Sequence, residues 1–338
     1  MSADSAPAAS ATERPRVDVF LAGALFFDLV LAGIEAMPTP GTEVWARARA
    51  VSPGGVANRA VAAARLGLRT GLAGRAGTDL FGSHLWQLLH EEANLDLRWS
   101  ELSPAIETAL TVSVTQAEDR RFLSHGEPDW ESITTLTPER LPLALAAQLG
   151  VTENAVPAWA RQLRGEGTLL FGGVGWDATE RWSPDVLANL EHFDALVLNT
   201  TEATAYTRTD DPTVAAKQLA ERVPLVAVTG GDQGAVAVDA ATGELTSAPA
   251  LTVEAVDPTG AGDVFFASFI FGTLAEWPLR ERLLFANLCA GHSVRTLGGA
   301  VSAPTWEDLN SWLMKYDPQG EESSFAFLGP EVTRRTRP

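Results

Sequence analysis

The richest chemistry in the sequence is packed into one short segment, Asp257-Pro258-Thr259-Gly260-Ala261-Gly262-Asp263, which runs directly into an apolar stretch opening Val264-Phe265-Phe266. Gly260 and Gly262 let the chain turn sharply and let a ligand approach the main chain closely. The first turn of the helix that follows, about Ala261 to Asp263, carries N–H groups with no partner inside the helix. Together with the helix dipole they make an anion site. Asp263 lies in that same turn, within reach of whatever occupies the site. The pairing suits phosphoryl transfer: the N–H groups neutralise charge on the moving phosphoryl group while Asp263 accepts the proton of the attacking hydroxyl. The dipole weakens Asp263 as a base, but a loose transition state acidifies the hydroxyl late, and a weak, well-placed acceptor is then enough. An isolated Gly-x-Gly-Asp is equally an ordinary helix cap after a glycine turn, so the weight rests on the whole segment.

Such a segment needs a rigid frame. Short apolar runs at Val17 to Leu25, Thr168 to Gly172, Ala195 to Asn199 and Leu225 to Thr229 read as buried strands. Between most of them lie stretches of helical spacing, at Ala57 to Leu66, Leu80 to Glu92, Pro184 to Leu190 and Val214 to Glu221. Strands alternating with helices predict a mainly parallel sheet covered on both faces. Val44 to Ala50 and Leu110 to Thr115 instead alternate with period two, which predicts half-exposed strands of a small second sheet. Gly234 to Asp239 and Ala241 to Pro249 read as a hairpin, and Val264 to Ala275 and Arg280 to Thr296 as consecutive helices.

Composition narrows the partners. The chain has 338 residues, 46% of them hydrophobic, enough for one large α/β domain. A formal net charge of -18 argues against nucleic acid or an anionic membrane surface as a partner. Cys289 is the single cysteine, which rules out an intrachain disulfide and fits a reducing compartment. Residues 1–15 lack an apolar core and read as a flexible tail; the tail after about Asp317 is polar and reads as loosely held. No apolar run is long enough to span a bilayer, so a cytoplasmic chain is expected.

The glycine segment with its following helix resembles the second signature of the ribokinase-like (PfkB) carbohydrate kinases. Other motifs of that family appear in order. Gly54-Gly55-Val56-Ala57-Asn58 with Ala60 to Gly67 resembles the first signature, Gly77-Thr78-Asp79-Leu80-Phe81-Gly82 a shared Gly-x-Asp-x-Phe-Gly, and Asn199-Thr200-Thr201-Glu202 the Asn-x-x-Glu motif. Thr229-Gly230-Gly231-Asp232-Gln233-Gly234 resembles the nucleotide-side loop. The similarity runs from about Val17 to Trp306. It implies a ribokinase-like fold over residues 16–316: a doubly wound, mainly parallel sheet with helices on both faces, and a small β-sheet lid with strands within about 40–52 and 108–124.

The resemblance also implies roles. Asp263 is the general base and the backbone of Gly260, Ala261 and Gly262 the anion hole. Asp28, Gly54, Gly55 and Asn58 bind a polyol, for which acceptor and donor side chains are suited. Asn199, Glu202, Thr229, Gly231, Gly234 and Asn287 serve ATP, and Glu202 helps hold Mg²⁺ through water. Asp257, Gly298 and Ser302 match a K⁺ position in many relatives; a loop with no ion is the equal alternative. A dimer joined through the lids is compatible with the family, as is a monomer.

Two departures bear on the acceptor. The chain reads Glu118-Asp119-Arg120-Arg121 where relatives often have Gly-Glu-Arg, and Thr179 replaces the customary Asn of Asp-x-Asn-x-Arg. The expected activity is thus ATP-dependent phosphorylation of a sugar or sugar acid, with a nucleoside as the alternative acceptor, its base lined by Phe26, Phe27, Trp45 and Phe122. A catalytically silent relative is a third reading. A fourth comes from Gly173-Val174-Gly175-Trp176-Asp177-Ala178, which matches a dinucleotide fingerprint of NAD-dependent oxidoreductases, although Trp176 and Asp177 put bulk and negative charge where a pyrophosphate would lie.

Overall fold

The structure is a computed structural model, and it describes residues 14–116, 119–126, 133, 136–177, 179–316 and 324–336. In chain order the elements are β1 (Arg16–Ala22), β2 (Leu25–Ala32), β3 (Ala48–Gly55), α1 (Val56–Arg65), β4 (Thr70–Ala73), β5 (Arg75–Gly77), α2 (Leu80–His90), β6 (Leu95–Asp96), β7 (Glu101–Ser103), β8 (Ala109–Gln116), β9 (Asp119–His125) and β10 (Leu143–Gly150). They continue with α3 (Ala158–Gly165), β11 (Leu169–Gly173), β12 (Ala195–Asn199), α4 (Thr200–Thr207), α5 (Pro212–Ala220), β13 (Leu225–Thr229), β14 (Ala235–Asp239), β15 (Glu244–Ala248), α6 (Ala261–Leu274), α7 (Leu279–Ser293), α8 (Trp306–Tyr316) and α9 (Gly329–Arg335).

The main sheet runs β15-β14-β13-β12-β11-β10-β1-β4-β6 and is parallel from β6 to β13. Its period-two pattern feeds two cores. In β12, Ala195 and Val197 face the layer of α1, α6 and α7, while Leu196 and Leu198 face α3, α4 and α5. Strands buried on both faces are continuous apolar runs for this reason. The strand order reverses between β1 and β10, and in such sheets ligands bind beyond the carboxyl ends of the strands near that reversal.

The small sheet is β3-β2-β8-β9. The sequence suggested one strand from Val17 to Leu25, but the chain leaves the main sheet at Gly23 and Ala24. A Cβ on Gly23 would press on Val56 at 3.3 Å, and the Ala24 carbonyl accepts the Val56 amide at 3.0 Å. Asp28 therefore sits inside β2, a strand of this small sheet. The first lid strand expected at Val44 begins only at Ala48 and extends to Gly55. Pro184 to Leu190, expected as helix, forms a 3-10 turn over Val186–His192.

The expectation of a loose C-terminal tail is corrected for residues 324–336. Leu328 and Val332 are buried, and the Arg335 guanidinium lies 4.7 Å from the Phe271 ring centre and donates to the Leu66 carbonyl at 3.2 Å. The polar composition of the tail hid three anchoring residues. Most of the N-terminal tail expected at 1–15, and residues 317–323, lie outside the described residues. Among those described, no helix is long and apolar enough to cross a membrane.

Candidate active site

Gly260 caps α6 with φ +75°, the left-handed region where a side chain is strained, and a Cβ there would stand 3.0 Å from the Ala300 amide. The turn is held from behind by Asp257, fully buried, whose two oxygens accept the amides of Thr259 (2.9 Å) and Gly298 (3.1 Å). Asp263 follows in the first turn of α6. The lid reaches this loop as well: Ser113 on β8 and Thr259 share a hydroxyl–hydroxyl hydrogen bond of 3.3 Å.

On one side of Asp263 lies the polar group under the lid. Asp28 is 7% exposed on β2, and Gly54 on the paired strand β3 has no room for a Cβ because the Asp28 carboxylate fills the space. Burial, with repulsion from Asp263, raises the Asp28 carboxyl to about 7; a hydrogen bond from Asn58 opposes the rise and Asp257 adds to it. Asn58, on the first turn of α1, also accepts the Ala300 amide at 3.3 Å. Gly55 plays a different part from Gly54: with φ +64° and the Ala24 carbonyl standing where a Cβ would go, it makes the bend from β3 into α1.

On the other side opens a mainly apolar cleft of about 260 Å³ between the Thr229–Gly234 loop, residues 250–255 and α7. Thr229, Gly231, Gly234, Ala261, Gly262 and Asn287 all line it. Gly231 (φ +60°) and Gly234 (φ +84°) shape the loop, and a Cβ on Gly234 would strike the Ala248 carbonyl. Asn287 spends its amide N–H groups on the carbonyls of Ala248 (3.0 Å) and Pro249 (2.9 Å), so it braces the wall and offers the cleft only its oxygen. Asn199 and Glu202 form a reciprocal capping box at the start of α4: the Asn199 side chain accepts the Glu202 amide at 2.8 Å, and Glu202 Oε2 accepts the Asn199 amide at 2.9 Å. Burial raises the Glu202 carboxyl above its ordinary value; the Asn199 amide and Arg59 work against the rise, Asp263 with it.

The sequence reading passed over Arg59. Its Nε donates to Asp263 Oδ1 at 2.8 Å, and its guanidinium covers the Phe266 ring at 4.3 Å. A Cβ on Gly173, the last residue of β11, would meet Arg59 Nη1 at 3.0 Å. A signal was present: a cation in the first turn of a helix opposes the dipole, and α1 has no acid there to offset it. Arg59 needs a carboxylate from elsewhere, and Asp263 is that carboxylate.

Other motifs turn out to be braces. Asp79 accepts the amides of Gly82 (2.8 Å) and Thr108 (2.7 Å), tying α2 to the start of lid strand β8. Arg121 is exposed on β9, the outer lid strand. Phe27 packs on Phe81 at 5.4 Å, and Trp45 is 81% exposed. The residues after Gly173 open no helix; Asp177 instead accepts the amides of Thr179 and Trp182. A dinucleotide fingerprint requires that helix to hold the pyrophosphate. Ser302 donates to the Leu297 carbonyl at 3.3 Å, which brings it into the loop that Gly298 shares with Asp257.

A family model described as pfkB family carbohydrate kinase matches residues 27–306. A fructokinase of Klebsiella pneumoniae is 30% identical over 282 residues, covering 76% of this chain and 90% of that protein. Among solved structures, an Arabidopsis thaliana ribokinase complexed with ribose and ATP superposes with a TM-score of 0.70 at 21% identity, over 89% of this chain and 100% of that one. A chain from E. coli in complex with ATP and Mg²⁺ superposes with a TM-score of 0.73 at 20% identity, over 88% and 99%.

Proposed function

The chain belongs to the pfkB family of carbohydrate kinases and is an ATP-dependent sugar kinase, and we propose that it phosphorylates a hydroxyl of a small sugar or sugar acid with Asp263 as general base. One observation carries the assignment of the base. Asp263 stands where the polar group under the lid (Asp28, Gly54, Asn58) meets the apolar cleft lined by Ala261, Gly262 and Phe265. The acceptor lies with the first and the adenine with the second. The hydroxyl oxygen bonds to the γ-phosphorus, the bond from that phosphorus to the bridging oxygen breaks with its electron pair leaving on ADP, and the hydroxyl proton passes to Asp263. The amides of Gly260 to Asp263 hold the charge of the transferring group. The lid excludes water, which competes with the sugar for the phosphoryl group.

Glu202 fits a role toward Mg²⁺. Oε2 takes the Asn199 amide, and the Asn199 side chain is a further hydrogen-bond partner of the carboxylate, with no guanidinium or ammonium paired to it among the described residues. One carboxylate held in this way suits an ion that keeps most of its waters, and an ion bound there would shield phosphate charge. Asp257 fits a monovalent cation. It is fully buried with two amide donors and no pairing guanidinium or ammonium among the described residues, and a buried carboxylate calls for compensation. Gly298 and Ser302 stand in the same loop to complete a K⁺ site.

Phe27 and Trp45 do not join into an aromatic slot, which favours a sugar over a nucleoside. ADP release measured with ribose, fructose, 2-keto-3-deoxygluconate, adenosine and inosine tests this; saturation by nucleosides alone would overturn the sugar assignment. Asp263→Asn should lower kcat by about 10²–10⁴ while ATP is bound at least as tightly as by the wild type. Near wild-type turnover in that variant removes Asp263 from its role.

A further inference from the structure

Arg59 has no part in the scheme above, yet it is the side chain bonded to the proposed base. Its placement is specific. Among the described residues only its Nε donates a hydrogen bond, and only to Oδ1 of Asp263, so this one contact ties up the Oδ1 atom of the proposed base. The guanidinium carbon stands 4.3 Å from the centre of the Phe266 ring, one turn along α6 from Asp263, and this contact restrains the group. Gly173 leaves room for Nη1, and neither Nη1 nor Nη2 donates a hydrogen bond among the described residues. The positive charge also acts on Glu202, on the side assigned to the phosphates. Its neighbour Asn58 turns the other way, toward Asp28 and Ala300 under the lid.

Resting on the kinase reading, we propose that Arg59 is a catalytic residue that contacts the γ-phosphoryl group of ATP. Four idle N–H donors in a plane held between the proposed base and Glu202 match the oxygens of a phosphoryl group, which guanidinium binds with two parallel hydrogen bonds. The side chain is also partly open, at 21% exposure, so an incoming anion can reach it. When the nucleotide is absent, the charge of Arg59 rests on Asp263. With ATP in place the guanidinium turns its Nη groups to the transferring phosphoryl, and Asp263 Oδ1 is released to the acceptor hydroxyl. The cation that occupies the base in the free enzyme thus becomes the one that stabilises charge in the transition state.

The test compares wild type with Arg59→Gln and Arg59→Lys. Binding of ADP and of a non-hydrolysable ATP analogue is measured by calorimetry without a sugar, and turnover is measured with the best acceptor. Wild type should bind the analogue more tightly than ADP. Arg59→Gln should lose affinity for the analogue about tenfold, with ADP binding unchanged, and kcat should fall about 10²–10³-fold. Added guanidinium should restore part of the Gln variant's turnover, and Arg59→Lys, which keeps a point charge, should fall between. Retention of the analogue's advantage over ADP in Arg59→Gln overturns the proposal and leaves the kinase reading intact. Equal loss for both nucleotides with a lowered melting temperature and no rescue overturns it in favour of a structural ion pair. A wild type that binds neither nucleotide defeats both.

Discussion

Asp28→Asn is the substitution with the largest effect that can be worked from the structure. The carboxyl is raised from 3.8 to about 7, chiefly by burial and by the charge of Asp263. Between those two values the folded chain keeps a proton that the unfolded chain has released. The stability this group allows is therefore complete below about pH 4 and is lost as pH rises through about 7. A rise of about 3 units is a loss on the order of 4 kcal/mol at pH 8.5, the smaller part of it already lost at pH 5. Asparagine keeps the shape and removes the titration. Its stability relative to wild type should thus improve by about 2–3 kcal/mol between pH 5 and pH 8.5. Equilibrium unfolding in urea at the two pH values, without ligands, reads this difference directly. The same variant should raise KM for the sugar at least about tenfold, since an amide replaces an acceptor for its hydroxyls. A stability difference that is equal at the two pH values refutes the reasoning, because it would mean that the carboxyl titrates alike in the folded and unfolded chains.

Gly262→Ala separates folding from function. A Cβ there meets nothing within 4 Å and Gly262 lines the apolar cleft, so the variant should gain up to about 1 kcal/mol of stability while KM for ATP rises about tenfold; an unchanged KM would move the phosphates away from this turn. Exchanging Na⁺ for K⁺ at 0.1 M should raise the melting temperature by about 3 °C and increase turnover, with Asp257→Asn abolishing the difference; identical melting in the two salts leaves Asp257 without an ion. Arg335→Ala removes the contacts with Phe271 and Leu66 and should cost about 1–2 kcal/mol of stability with both KM values unchanged. No loss of stability in that variant would return the C-terminal helix to the loose tail its composition suggested.

Much of the frame was legible because burial imposes periodicity. The strands at Ala195 to Asn199 and Leu225 to Thr229 are apolar and buried up to their last residues because both faces are covered, and the structure reproduces both sets of bounds. Boundaries set by tertiary contact were not legible. From Val19 to Leu25 no polar side chain breaks the run, and only the fit of Gly23 against Val56 shows where the chain changes sheets. The C-terminal helix was hidden because its hold depends on two buried apolar residues in a polar stretch and one guanidinium over two rings, contacts between distant parts of the chain. Within the site, motifs with special backbone needs were readable: Gly260, Gly231 and Gly234 adopt positive φ, and Gly54 leaves space for a carboxylate.

Arg59 marks the limit of reading motifs one at a time. Inside Val56-Ala57-Asn58-Arg59-Ala60-Val61 a lone arginine looks like a solvated helix residue, and the first signature directs attention to Asn58. The helix dipoles say otherwise. Asp263 is favourably placed at the positive end of α6, whereas Arg59 is unfavourably placed at the positive end of α1, so one terminus welcomes its charge and the other does not. Two helix starts facing each other share one excess of positive potential, and a phosphoryl group is the ligand that both would attract. On that account the ion pair holds two opposite charges in reserve near a site built for an anion. Neutralising either partner alone should then disturb nucleotide affinity in opposite directions, with Asp263→Asn tightening the ATP analogue and Arg59→Gln loosening it.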